Sequence, residues 1–335
     1  MEIENALREG EIFIDVRTKK EFEEATIPCA INIPLFDEAE RAIVGILYKE
    51  DGKEVAVRKG IELVSEKLNK IVDSVEKLDG KIIVFCWRGG MRSESFVNLL
   101  RSLGKDAHQL DGGYKKYREH IRKRLEGYDL KLITVVLNGL TGVGKTEILR
   151  EFSNSLDLEG LAQHRSSLLG AIGLEPRSQK MFESLLLERL DKLQREKWIL
   201  VEGESRKVGD LIIPDFLFKA MKNGIQILVI DDLGERTERL LGEYVPHIKN
   251  YKIKKIVDRL KLSKKIREEM KDLIDKEQYG QFTKLILKEY YDPLYSHSIK
   301  KIKYDFKIKF KEWDGIKEKV DNLLDKRSRY NSEKS

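Results

Sequence analysis

Cysteine is nearly absent. The 335 residues contain two, Cys29 and Cys86, too few for a disulfide-stapled scaffold or a four-cysteine zinc site. Proline is scarce too, at six, which excludes a collagen-like or proline-rich extended chain. No run of 18 apolar residues occurs, so no membrane-spanning helix is expected. The start, MEIENALREGEIF, lacks the basic-then-apolar pattern of a secretory signal, and the expected location is cytoplasmic. What is present is an ordinary hydrophobic fraction, 41%, beside a high charged fraction, 36%. The first supplies cores and the second a soluble surface, which together exclude a disordered chain. At about 100–200 residues per domain, the length suggests two domains.

Charge is unevenly spread. The chain carries a net +6, yet Lys249–Ser335 holds 25 Lys and Arg against 15 Asp and Glu, an excess of ten positive charges. The preceding 248 residues therefore sum to −4. A basic third on a near-neutral body fits a polyanionic partner such as nucleic acid. The bland alternative is a solvated, Lys/Glu-rich helical surface of the kind heat-adapted proteins carry.

Two strand-like apolar runs each lead into a glycine-rich loop and a helical pattern. Lys81-Ile-Ile-Val-Phe85 precedes Cys86-Trp-Arg-Gly-Gly-Met-Arg-Ser93, and Leu132-Ile-Thr-Val-Val-Leu137 precedes Gly139-Leu-Thr-Gly-Val-Gly-Lys-Thr146. Continuous β-branched runs suit parallel strands buried on both faces. The expected architecture is two α/β units in series, residues 1–127 and 128–335, joined through a helical stretch Asp111–Glu126. In the second half, Trp198–Val201 and Ile225–Ile230 read as core strands and Lys145–Leu156 as a helix. The region from about 249 to 290 reads as a basic helical excursion. Alternation at Ile302, Tyr304, Phe306, Ile308 and Phe310 predicts a half-buried strand, and the polar end Arg327–Ser335 reads as frayed.

A cysteine between a buried strand and a helix start sits in a positive field. The backbone N–H groups of Trp87, Arg88, Gly89, Gly90 and their neighbours can converge on an anion, and the helix N-terminus adds partial charge. Arg88 and Arg92 add whole charges. Such a nest lowers a thiol pKa and holds an anion against the sulfur, so Cys86, Arg88 and Arg92 are the candidate catalytic set. A buried structural cysteine is the alternative.

The second loop satisfies G-x-x-x-x-G-K-[ST] between a predicted strand and a predicted helix, the context the motif requires. Amides around Gly139, Thr141, Gly142 and Gly144 would cradle phosphate oxygens. Lys145 would neutralise their charge, and Thr146 is placed to ligate Mg²⁺. Asp231, after Ile225–Ile230, is the weaker candidate metal carboxylate, with a plain strand-end turn as its alternative.

The first half carries a resemblance. Ile14-Asp15-Val16-Arg17, Glu21-Phe22, Ile27-Pro28 and Ala30-Ile31-Asn32-Ile33-Pro34 resemble the opening of a rhodanese domain. In that family the loop cysteine, matching Cys86, carries a persulfide or related chalcogen, and residues matching Asp15 and Arg17 brace the loop. Two departures stand out. Cys29 occupies a position that is usually Gly. The loop spans Cys-x5-Arg, one residue longer than in typical sulfur-transferring rhodaneses, a spacing shared with cysteine-dependent phosphatases.

A rhodanese-like domain followed by a P-loop domain resembles the tRNA 2-selenouridine synthase family over nearly the whole chain. The stretches that carry this are Glu40-Arg41, Val44-Gly45-Ile46-Leu47-Tyr48, the Cys86 loop, the P-loop, His164-Arg165, Gln179, Phe182-Glu183, Glu202-x-Glu204-Ser205-Arg206-x-x-Gly209 and Tyr290-Tyr-Asp-Pro-x-Tyr295. Ser166 and Leu169 replace the family's Gly and Phe. The resemblance implies a two-step transferase. Geranyl diphosphate prenylates the sulfur of wobble 2-thiouridine in tRNA, and selenium from selenophosphate then replaces the S-geranyl group. It implies that Cys86 attacks selenium while Arg88 and Arg92 hold the phosphate. Implied partners are tRNA bearing wobble 2-thiouridine, geranyl diphosphate, selenophosphate and its synthetase. No tightly bound cofactor is implied beyond Mg²⁺.

The remaining motif residues each keep a structural alternative. His164 and Arg165 are candidates for diphosphate or tRNA-backbone contact, or begin a helix. Glu202, Glu204 and Arg206 follow a buried strand as metal or substrate groups, or form a structural ion pair. Tyr290, Tyr291 and Tyr295 stack on a flipped base, line a geranyl pocket, or belong to a core. His108, His120, His247 and His297 carry no motif. Three other functions compete: a P-loop nucleotide kinase or NTPase with a fused sulfurtransferase, an idle rhodanese that recruits partners, and a Cys-x5-Arg phosphatase. The last lacks a His before the cysteine, where Phe85 stands.

Overall fold

The computed structural model describes residues 1–7, 10–165, 170, 172–248 and 253–332, with backbone alone for 244–248 and 327–332. Ser166, Leu169 and Lys249 lie outside the described residues, and the side chain of His247 is not described.

The chain forms two compact units, Met1–Tyr128 with Arg177–Glu188, and Asp129–Pro176 with Arg189–Ser335. The segment Arg177–Glu188, expected with the second domain, clusters with the first. Arg118 explains this. Its Nη1 donates to the Lys180 carbonyl and to Ser184 Oγ, both at 2.9 Å, and its Nη2 pairs with Glu183. Lys180 adds an ion pair to Glu24 at 2.6 Å.

In the first unit, β1 (Ile12–Asp15), β2 (Ile31–Asn32), β3 (Ile82–Phe85) and β4 (Ala107–Gln109) make a parallel sheet in the order β2-β1-β3-β4. All four residues of β3 are buried, as an apolar strand covered on both faces requires. Asp15 lies opposite Phe85 in the register. The segments after these two residues therefore leave the same sheet edge, which places Arg17 beside the Cys86 loop. Ile14, Val16, Val84, Phe96 and Leu100 form the core, with Cys86 at its margin. Helices Glu38–Glu50, Lys53–Ser65 and Met91–Ser102 pack on that core through Val44, Val64 and Phe96 respectively. Asp37 starts the first of these with a capping box, accepting from the Glu40 N–H at 2.8 Å while Glu40 accepts from its own.

In the second unit, β5 (Ile133–Asn138), β6 (Ser155–Leu156), β7 (Trp198–Glu202), β10 (Ile225–Ile230) and β11 (Phe306–Lys309) form a parallel sheet in the order β11-β10-β5-β7-β6. Between β7 and β10 lies an antiparallel pair, β8 (Lys207–Val208) and β9 (Leu211–Ile212). The helical excursion packs with Leu233–Ile248 around Leu240, Val257, Met270, Phe282 and Tyr291. Three expectations shift. The helix after the P-loop stops at Arg150. Asn154 then holds the Trp198 carbonyl at 2.9 Å, and Ser155–Leu156 joins the sheet edge. Only Phe306–Lys309 of the alternating run is strand, because Asp305 anchors its start through both backbone and carboxylate bonds to Gln226. Of the polar end expected to fray, residues up to Ser332 continue as helix Ile316–Ser332, held at its start by the buried Ile316 and Val320; residues 333–335 lie outside the described residues.

Candidate active sites

Cys86 lies at the floor of its loop, 3% exposed, beneath an exposed rim of Trp87, Arg88, Gly90 and Met91. The loop is shaped from outside. Tyr114 and Lys115, in the first turn of helix Gly113–Glu126, donate their backbone N–H groups to the Cys86 and Trp87 carbonyls, both at 2.9 Å. Those N–H groups lack partners within the helix. With two loop carbonyls tied outward, the peptide planes are fixed, and the Gly90 N–H donates to Sγ at 3.3 Å. Gly113 makes the close approach possible. Its φ is +57°, and a Cβ there would lie 2.3 Å from the Cys86 carbonyl oxygen.

Asp15 and Arg17 brace this arrangement from the other side. The Asp15 carboxylate accepts from Arg17 Nε and Nη2 and from Thr26 Oγ1. The Arg17 guanidinium stacks on Tyr114 at 4.0 Å, the residue whose N–H holds Cys86. Arg92 lies at the loop's end and pairs with Glu21 at 3.4 Å. Cys29 is exposed, in a left-handed turn at φ +62°, a conformation in which Gly is easier to accommodate.

Burial by itself pushes the Cys86 thiol up. Hydrogen bonds from Ser93 Oγ, 3.2 Å away, and from the Gly90 and Ser93 backbone, with the Arg92 charge, outweigh it and hold the pKa below the ordinary thiol value. Gln109 orients that hydroxyl, donating to it at 2.8 Å. Ser93→Ala should therefore raise the acid limb of Cys86 reactivity by about one pH unit, since a hydrogen bond to a charged group is worth ~1.5–3 kcal/mol. Iodoacetamide alkylation against pH, in a Cys29→Ser background, measures it; an unmoved limb means Ser93 does not hold the thiolate.

The P-loop lines a cavity of about 340 Å³ together with Glu159, Arg165, Glu202, Glu204, Arg239 and an apolar wall of Leu240, Tyr295, Ile299 and Ile302. This loop too is tied from outside. Arg236 Nε donates to the Thr141 carbonyl at 2.9 Å, and Arg239 Nη1 donates to the Gly142 carbonyl at 2.5 Å. Lys145 Nζ donates to the Gly139 carbonyl at 3.2 Å, and Thr146 faces the cavity.

The carboxylates here are unusual. Glu202, 3% exposed, accepts from the Glu159 N–H at 2.7 Å. Burial, then the charges of Asp157, Glu159 and Glu204, holds it well above the usual carboxylate range. Burial and Glu204 push Glu159 up to about 8, against the pull of Lys145 and Arg165. A carboxyl raised as far as that of Glu159 is largely protonated near neutral pH, which lessens the negative charge facing an anion beside Lys145.

Several candidates lie elsewhere. Asp231 does not line the cavity; its carboxylate pairs with Arg239 at 3.0 Å. Arg206 pairs with Asp215 on the surface. Tyr291 is 1% exposed in the helical core, with Tyr290 packed on it. Tyr295 stacks on Tyr291 at 6.2 Å and alone of the three lines the cavity. The His164 ring lies against Gly209 rather than in the cavity, and burial pushes its pKa down. Arg165 lines the cavity and pairs with Glu243 at 3.3 Å. Among the described residues, no cluster of His, Cys, Asp and Glu is arranged to hold a metal ion on its own. Sequence reasoning missed Ser93, Gly113, Glu159, Arg236 and Arg239. Only Ser93, next to Arg92, carried a local signal.

Comparison with known proteins follows the two units. A family model described as the tRNA 2-selenouridine synthase AAA domain matches residues 132–276, and one described as the rhodanese-like domain matches 2–120. The tRNA 2-selenouridine synthase of Nitrosomonas europaea is 35% identical over 243 residues, covering 69% of this chain and 63% of its own. That of Shewanella woodyi is 36% identical, covering 70% and 66%, and that of Shewanella frigidimarina is 34% identical, covering 71% and 67%. The chain thus spans slightly less than two thirds of the Nitrosomonas protein's length. A solved N-terminal domain from Clostridium difficile 630 is 48% identical, covering 36% of this chain and 97% of its own, with a TM-score of 0.35.

Proposed function

The chain belongs to the tRNA 2-selenouridine synthase family, and from that membership we propose that it converts wobble 2-thiouridine of tRNA into 2-selenouridine in two steps, one in each unit. The observation that carries the reading is the pairing, in one chain, of a thiol in an anion cradle with a P-loop cavity that has an apolar wall.

The first step belongs to the P-loop cavity. Geranyl diphosphate seats its phosphates on the loop amides and Lys145, with its chain along Tyr295, Ile299 and Ile302. The thiouridine sulfur attacks the first carbon of the chain. An S–C bond forms, the C–O bond breaks, diphosphate leaves with the electron pair, and the base gives up its N3 proton. Fixed donors at the leaving group stabilise its developing charge. Thr146 would offer Mg²⁺ an oxygen donor, joined by Glu202 and Glu204 once these are ionised, and the ion would neutralise the diphosphate.

The second step belongs to Cys86. Alkylated sulfur is a good leaving group from the pyrimidine: selenide adds at C2, the C2–S bond breaks and geranylthiol departs. Release of selenide from selenophosphate has to balance. A thiolate that attacks selenium strands the electron pair on phosphorus. Attack on phosphorus forms S–P, breaks P–Se and frees selenide, and water then returns phosphate with no redox partner. The Cys86-x5-Arg92 spacing suits the second course, so Cys86 is assigned to phosphorus, with Arg88 and Arg92 on the phosphate oxygens.

Mass analysis of wobble nucleosides tests the whole reading. With thiolated tRNA and geranyl diphosphate, S-geranyl-2-thiouridine should accumulate; adding selenophosphate should convert it to 2-selenouridine. A wobble nucleoside unchanged in mass would remove the proposal.

A further inference from the structure

A second apolar space lies in the first unit, and neither step above uses it. Helices Glu38–Glu50, Lys53–Ser65 and Met91–Ser102 enclose a groove of about 600 Å³, lined chiefly by carbon. Val44, Val57, Ile61, Val64, Met91 and Leu99 are among its apolar lining side chains. Several stay unusually open for their type: Ile61 is 66% exposed, Met91 40% and Val57 37%. Exposed apolar residues gathered on one concave surface mark a binding site more often than scattered ones do.

The groove is joined to the catalytic loop. Met91 and Arg92, the fifth and sixth residues after Cys86, line both. Arg92 also contributes its charge to the sulfur's environment. One end of the groove therefore carries Arg92 beside the nucleophile, and most of the remaining lining is apolar, with Lys53, Glu94 and Asn98 among it. A ligand that matches has a reacting head at the Cys86 loop and a hydrocarbon tail. Its volume lies in the range of pockets that bury small apolar ligands. Gly60, buried in the lining, packs close to Phe36, whose ring would lie 3.3 Å from a Cβ placed there.

We propose that this groove receives the geranyl chain of the S-geranyl nucleoside during the selenium step, holding C2 of the base at the Cys86 loop. The inference rests on the two-step reading above and locates the intermediate within it. The chain that was a leaving-group partner in the first cavity becomes the handle by which the second site recognises its substrate. The plain thiouridine has no such handle. The groove thus explains how selenium replaces only sulfur that has already been alkylated.

The test uses the full-length protein and short anticodon-stem RNAs carrying either S-geranyl- or S-methyl-2-thiouridine, with selenophosphate. The wild-type protein should prefer the geranyl substrate by about tenfold or more in kcat/KM, the scale on which hydrocarbon contacts discriminate. Val57→Asp and Ile61→Asp, both at open positions that tolerate a charge, should bring that preference to within about threefold while leaving the methyl substrate's rate unchanged. A folding defect would lower both substrates together, so the ratio separates the two causes. Equal wild-type rates on the two RNAs, or a ratio untouched by both variants, would overturn the groove while the two-step activity stood. Failure of the wild-type protein to convert any S-alkyl RNA would overturn the activity and the groove together.

Discussion

Cys86→Ser abolishes selenium incorporation, by roughly 10³-fold or more, and leaves S-geranylation running. The size follows from chemistry: removing the nucleophile of a covalent step costs at least that much when the other groups act through it. The change is nearly isosteric, and the residue sits in a loop fixed by backbone bonds from Tyr114 and Lys115, so the fold should persist. The product expected to accumulate is S-geranyl-2-thiouridine, seen by mass in the digested tRNA. Selenium arriving at the wild-type rate would show that selenide reaches the base without the thiol, and the cradle would lose its assigned role.

Lys145→Ala gives the reciprocal result. Geranylation falls by about 10²–10³, the cost of removing one preorganised charged donor from a leaving group. Selenium transfer to RNA that is already geranylated continues. Among the described residues the Lys145 ammonium donates to one carbonyl, that of Gly139, at 3.2 Å. Its loss should cost about 1 kcal/mol of stability or less, which thermal unfolding would confirm. Unchanged geranylation would separate the P-loop from the diphosphate. The two variants together ask whether the half-reactions are chemically independent, and each supplies the control for the other.

Much of this was legible from local pattern. Strand–loop–helix order, the glycine spacing of both loops and the placement of Cys86 and Lys145 are read within about fifteen consecutive residues, where backbone chemistry decides the outcome. What was not legible depends on residues far apart in the chain. Gly113 earns its importance only because a carbonyl 27 positions earlier lies 2.3 Å from its missing Cβ. Arg236 and Arg239 hold P-loop carbonyls from a helix nearly a hundred residues downstream. The tyrosines show the same limit differently. Tyr290, Tyr291 and Tyr295 share one motif, and Tyr291 and Tyr295, four residues apart, stack on one helix face, yet Tyr291 is buried in the core and Tyr295 reaches the cavity. Composition cannot show where along that face the core ends and the cavity begins. The apolar groove was invisible for a related reason: its lining is gathered from residues spread between Leu35 and Leu99.

Arg236 is 3% exposed and bonds on one side to the Thr141 carbonyl and on the other to both oxygens of Asp292. Asp292 opens the helix that bears Tyr295 and Ile299. Floor and wall of the cavity therefore share a single rivet. Displacing either would unpair a buried charge, a loss on the order of 3–5 kcal/mol. The distance from the phosphate seat to the hydrocarbon wall is thus set before any substrate arrives, and the cavity works as a gauge rather than as a pouch.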